Sequence, residues 1–155
     1  MVAAAAMITA LTLSAASTAQ VANVSMRARV GEGQEVLIMG LYVRSEAVVL
    51  IRGIGPSLAH FDISGALEDP MLTVFDSEGH VVAEALGMDT LNFIEHEYVV
   101  GFAGRLGAFP ISGITKDAGL VVTLPPGAYT VHLKSIAGGS GIALAEAYFD
   151  DQTSG

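Results

Sequence analysis

Three groups of residues are of types that could do chemistry. Ser57, His60 and Asp62 lie close together and offer a nucleophile, a base and an acid. A hydrolytic triad needs its serine on a strained elbow beside oxyanion donors, and no Gly-x-Ser-x-Gly surrounds Ser57. Ser140 stands in Gly138-Gly139-Ser140-Gly141, which reads as a hairpin turn. Glu95-His96-Glu97 offers metal donors, with Asp89 or His80 as further ligands. On an extended strand the imidazole would point away from both carboxylates, and no metal-ligand spacing is present. Gly53-Ile54-Gly55-Pro56-Ser57-Leu58 begins like a dinucleotide loop. Its third glycine is missing, Pro56 lacks an N–H and no long helix is expected after it, so it reads as a tight turn. No catalytic residue, metal site or cofactor is assigned.

A fourth group concerns stability. Arg27, Arg52 and Glu146 lie in or beside strands that are otherwise apolar or small. A charge facing a sandwich interior must be paired, or it costs several kcal/mol. Glu146 is therefore expected to accept a hydrogen-bonded ion pair from Arg52 or Arg27, the alternative being that strand alternation places all three on a wet face. His132 and Lys134 share one face of an alternating strand and are expected to face solvent.

The elements that would position these residues are short. Apolar runs span Val24 to Val30, Glu35 to Val43, Ala47 to Arg52, Met71 to Phe75, His80 to Leu86, Leu120 to Leu124, Tyr129 to Leu133 and Ile142 to Phe149. Turn residues separate most of them, notably Asp76-Ser77-Glu78-Gly79 and Pro125-Pro126-Gly127. Val48-Val49-Leu50-Ile51 is continuously apolar, as expected of a strand buried on both faces. Ser57 to Phe61 is expected to form one helical turn. The pattern predicts an all-β antiparallel sandwich of about eight strands, jelly-roll-like or Ig-like. No long helical periodicity is read after residue 22. The connection from Gly87 to Lys116 is too long for a structureless loop and is expected to hold an extra strand near Glu97 to Phe102 or to pack across a sheet edge. Its aromatic content makes Phe93, His96, Tyr98, Phe102 and Phe109 the candidate binding surface.

Of 155 residues, 52% are apolar and 15% charged, with acids outnumbering bases 16 to 7. That suits one domain with a real core. The net charge of −9 argues against a nucleic-acid partner and against docking on anionic lipid. The absence of cysteine excludes disulfides, thiolate metal sites and cysteine nucleophiles. Residues 1–22 are uncharged and apolar, and Ser17-Thr18-Ala19 suits signal-peptidase cleavage. They are expected to be a signal peptide or an assembly segment, with no stable membrane insertion of the mature domain. Residues 23–150 then form the sandwich and 151–155 a polar tail.

Leu72 to Gly79, then Leu124-Pro125-Pro126-Gly127-Ala128-Tyr129-Thr130-Val131 and Gly139-Ser140-Gly141, resemble the bacterial pre-peptidase C-terminal domain, a jelly-roll-like sandwich appended to secreted proteins. The front half, through Val30-Gly31-Glu32-Gly33, Val36 to Gly40, Leu50 to Leu58 and Gly65 to Pro70, resembles a repeat module of large bacterial surface and secreted proteins. The resemblance implies a secreted or cell-surface module without catalytic residues. Such modules often carry an acidic run tied to calcium; here that place reads Glu84-Ala85-Leu86-Gly87-Met88-Asp89, and no calcium site is carried over. The functional expectation is a structural or adhesion module, in one version a self-assembling filament or surface-layer subunit. Its partner would be another copy or another surface protein. The alternative is an accessory module of a secreted enzyme that binds polysaccharide or protein.

Overall fold

The computed structural model describes residues 22–31, 33–111 and 113–150. Eight strands form two four-stranded antiparallel sheets. They are β1 (Asn23–Val30), β2 (Leu37–Val43), β3 (Ala47–Ile54), β4 (Pro70–Phe75), β5 (Val81–Ala85), β6 (Ala118–Leu124), β7 (Gly127–Ser135) and β8 (Gly141–Phe149). One sheet has the order β1-β8-β3-β6 and the other β2-β7-β4-β5. The pairs β4–β5, β3–β6, β2–β7 and β1–β8 are nested, as if one long hairpin had been rolled up. This is jelly-roll topology and decides against the Ig-like alternative. Apart from Ala22, whose carbonyl accepts from Phe149 N–H, the N-terminal segment lies outside the described residues, as does the tail.

Strand alternation builds the core. In β2, Leu37, Met39, Leu41 and Val43 turn inward while Ile38, Gly40 and Tyr42 turn out. The facing side of β8 is Ala143, Ala145 and Ala147, all fully buried. Small residues there leave room for Met39, Leu72, Val131 and Leu133 from the opposite sheet, so the layers interdigitate. The segment at Leu67 closes one end, where Leu67 N–H donates to the Ile142 carbonyl at 2.8 Å. A side chain at Gly55 or Gly141 would strike Leu67 backbone, so both positions exclude a Cβ.

The connection between β5 and β6 departs from expectation. In place of an extra strand near Glu97 to Phe102 it holds an α-helix, α1 (Phe93–Arg105), preceded by a 3-10 turn at Met88–Thr90. Its start is a capping box: the Asn92 side chain accepts from Glu95 N–H at 3.0 Å, and Glu95 Oε2 accepts from Asn92 N–H at 3.1 Å. α1 packs on β3 and β6, across the outer face of the β1-β8-β3-β6 sheet. Val99, Phe102 and Ala103 of the helix join Leu50, Ile54 and Tyr148 of that sheet in a second core. We call this sheet the covered sheet and its partner the open sheet. Ser57 to Phe61 falls within a 3-10 helix, Pro56–Phe61.

Candidate functional site

The covered sheet carries a buried polar cluster. Arg52 on β3 and Glu146 on β8 stand directly opposite each other, so their side chains leave the same face. Arg52 Nε and Nη2 donate to Glu146 Oε2 at 3.0 and 2.6 Å. Nη1 donates to the Phe109 carbonyl at 2.7 Å. The Phe109 ring stacks on the guanidinium, 4.3 Å from its centroid. Tyr148, one pleat along β8, donates its hydroxyl to Glu146 Oε1 at 3.0 Å. Arg52 is 1% and Glu146 4% exposed. Burial pushes the Tyr148 phenol above its ordinary pKa, and the Glu146 carboxylate adds to the rise. Arg27 sits opposite Leu144 and is exposed, so Arg52 alone of the two arginines reaches Glu146.

Beside this cluster, between α1 and the covered sheet, is a cavity of about 220 Å3. Met88, Val99, Ala103, Ala108 and Ile111 form apolar wall and Arg52 supplies the charged lining. Chemically the arrangement suits binding. The arginine charge is already matched by Glu146, and among the described residues the walls bring no nucleophile.

The aromatic residues expected to form one surface divide between two roles. Phe93 and Tyr98 are exposed on the outer side of α1. Phe102 is buried in the second core and Phe109 roofs Arg52. His96 is partly buried; its Nδ1 lies 3.4 Å from Glu97 Oε1. Its Nε2 is buried without a hydrogen-bond partner among the described residues.

The other reactive-looking groups take up structural positions. Ser57 is buried and donates to Asp117 Oδ2, whereas His60 and Asp62 are exposed. Glu95 serves the helix cap. Asp76, Glu78 and His80 do meet, at the β4–β5 hairpin tip, with ligand atoms within 4.8 Å of one another. There Asp76 Oδ1 accepts the backbone N–H groups of His80 and Glu78, each at 2.9 Å. These bonds, His80's foremost, hold the Asp76 carboxyl below its ordinary value and lock the turn. His132 is half-buried against Phe75, centroids 4.7 Å apart, while Lys134 is exposed.

Asp117 is the residue that sequence reasoning missed. It is fully buried. Its Oδ1 accepts Gly55 N–H at 2.7 Å and Ser57 N–H at 3.2 Å. Its Oδ2 accepts the Thr115 hydroxyl at 2.6 Å and the Ser57 hydroxyl. The glycine-rich turn after β3 exposes backbone donors that need an acceptor, but nothing in the sequence singles out Asp117 among 16 acidic residues.

No family profile matches the chain, and no curated protein matches it. Among solved structures, the chain is similar to the pre-peptidase C-terminal domain of a collagenase from Bacillus anthracis, determined by crystallography at 1.0 Å. Identity is 10% and the TM-score 0.48, over 81% of this chain and 88% of that one.

Proposed function

We propose that this chain is a non-catalytic, secreted or cell-surface module that works by contact, and that the outer side of α1 is its contact surface. The observation that carries this reading is a helix apolar on both sides. Its inner side seals the second core. Its outer side holds Phe93 and Ile94, each 78% exposed, and Tyr98, 58% exposed. Ile94 and Tyr98 are one turn apart, and Phe93 opens the same first turn. Glu95 and Glu97 are exposed beside them, and exposed apolar side chains rimmed by polar ones mark interaction surfaces. The partner is another copy of the chain, as in a filament or surface layer, or another surface protein.

The test is sedimentation velocity over a concentration series, on the full chain and on Phe93→Ser with Ile94→Ser. Association of the wild type that the double variant lacks supports self-assembly. Identical behaviour of the two overturns it. The second reading, an accessory module for polysaccharide or protein beside a secreted enzyme, rests on Tyr42, 73% exposed on the open sheet. Retention of the wild type, but not of Tyr42→Ala, on an insoluble polysaccharide supports that reading; equal retention of both overturns it.

A further inference from the structure

We propose that the cavity between α1 and the covered sheet binds a small, uncharged, mostly apolar molecule whose single hydrogen-bond acceptor is held by Arg52. The site is separate from the outer side of α1, and the inference does not depend on that side's role.

Size sets the first limit. An engineered cavity of about 150 Å3 accepts benzene; this one, at about 220 Å3, has room for a ring and a short substituent. Wall chemistry sets the second. Met88, Val99, Val100, Ala103 and Ile111 present only apolar side chains, so most of the ligand must be apolar.

Arg52 sets the third limit. A guanidinium has five N–H donors. Three are used, two on Glu146 and one on the Phe109 carbonyl, and the Tyr148 hydroxyl also interacts with the guanidinium, which leaves an N–H for a further acceptor. The side chain is 1% exposed, and a buried donor without an acceptor is costly. A ligand oxygen in the cavity relieves that cost. The group is also held in place before any ligand arrives, by the Phe109 ring and carbonyl on one side and Glu146 on the other.

The same pairing fixes the ligand's charge. Glu146 lies 2.6 Å from Arg52 Nη2, so the pair is neutral as a whole. A carboxylate entering the cavity would lose its hydration and approach another carboxylate. A ketone, ether or phenol oxygen meets neither penalty. Gly104 and Pro110 line the cavity and are exposed, which places the entrance between the end of α1 and the segment that follows it.

The test uses three probes of similar size, acetophenone, toluene and benzoate, titrated into the full chain and followed by methyl NMR. The expected result is saturable shifts at Val99, Ala103 and Ile111 with acetophenone, binding about tenfold weaker for toluene, and no shifts with benzoate. Ala103→Leu fills the cavity from the helix. Gly104→Leu adds a side chain at the rim where a Cβ meets open space, and leucine raises helix propensity there, so folding is retained. Both variants are expected to lose acetophenone binding. Absence of shifts with all three probes overturns the site, as does binding that survives both substitutions. Toluene equal to acetophenone overturns the role of Arg52, and benzoate as the tightest ligand overturns the neutral class.

Discussion

The two sheets solve the same problem in opposite ways. Each must do something with its outer face. In the open sheet, β2 alternates strictly between buried and exposed, and its outward positions Ile38, Gly40 and Tyr42 meet water. β7 and β4 of the same sheet turn out Thr130, His132, Lys134 and Thr73 beside Phe75. In the covered sheet, β3 is buried at every position from Val49 to Ile54. Its outward side chains Leu50 and Ile54, with Leu144 from β8, need a lid, and α1 is that lid. An antiparallel sheet can leave one face wet if that face is mixed in polarity; an apolar face cannot be left so. The charged pair belongs to the covered side because the lid takes it out of water.

The largest effect that separates the two faces comes from Glu146. Glu146→Ala leaves Arg52 buried without its counter-charge, and the expected loss is about 3–5 kcal/mol of unfolding free energy. Glu146→Gln keeps an oxygen for Arg52 and costs less. Replacing Arg52 by Met, Glu146 by Leu and Tyr148 by Phe together removes both charges and the hydroxyl, and recovers part of the loss. Urea denaturation of the four proteins checks the order. Equal and small losses in the two single variants would show that the pair is solvated.

The sequence revealed the covered face but not its cover. The continuous run through Ile51 implies burial on both faces, and β3 is placed so. The Arg52–Glu146 contact was legible because a charge in an apolar strand demands a partner. Arg27 is equivalent by sequence because sequence does not tell which edge of a sheet a lid reaches; β1 is the edge opposite β6, on which α1 packs, and Arg27 stays in water. The helix is hidden in the sequence for a physical reason. Amphipathic periodicity is the helix signal, and α1 has apolar residues on both sides, so the period is blurred. What did mark it was the Asn92-Phe93-Ile94-Glu95 capping box, a signal carried by two polar residues.

Two smaller predictions probe how the lid is held. Tyr148→Phe deletes a hydrogen bond to a buried carboxylate, with an expected loss of about 1.5–3 kcal/mol. It also changes the alkaline limb. The Tyr148 pKa is raised in the folded state, so its contribution is complete below the ordinary tyrosine value of 10.0 and is lost as pH rises toward the folded value. The stability difference between wild type and Tyr148→Phe therefore shrinks above that pH. A difference that stays constant would remove Tyr148 ionisation from the account. Asn92→Ala breaks the capping box and is expected to cost about 1 kcal/mol. Hydrogen exchange should locate the loss in the first turn of α1, leaving the open sheet unchanged; uniform loss through both sheets would mean that lid and sandwich unfold as one unit.

The smallest expected effect is on the open side. Ile38→Thr and Tyr42→Thr keep β-branched or strand-favouring chemistry and remove side chains that are 51% and 73% exposed. Little apolar surface leaves the core, so each should change stability by no more than about 0.5 kcal/mol. Ile38 is the sharper of the two, because it lies opposite His132 in the register and next to the Phe75–His132 contact. Were Ile38→Thr to cost as much as the loss of the Tyr148 hydroxyl, the open sheet would have a cover of its own in solution. Its likeness to the covered sheet would then be closer than the bare strand pattern implies.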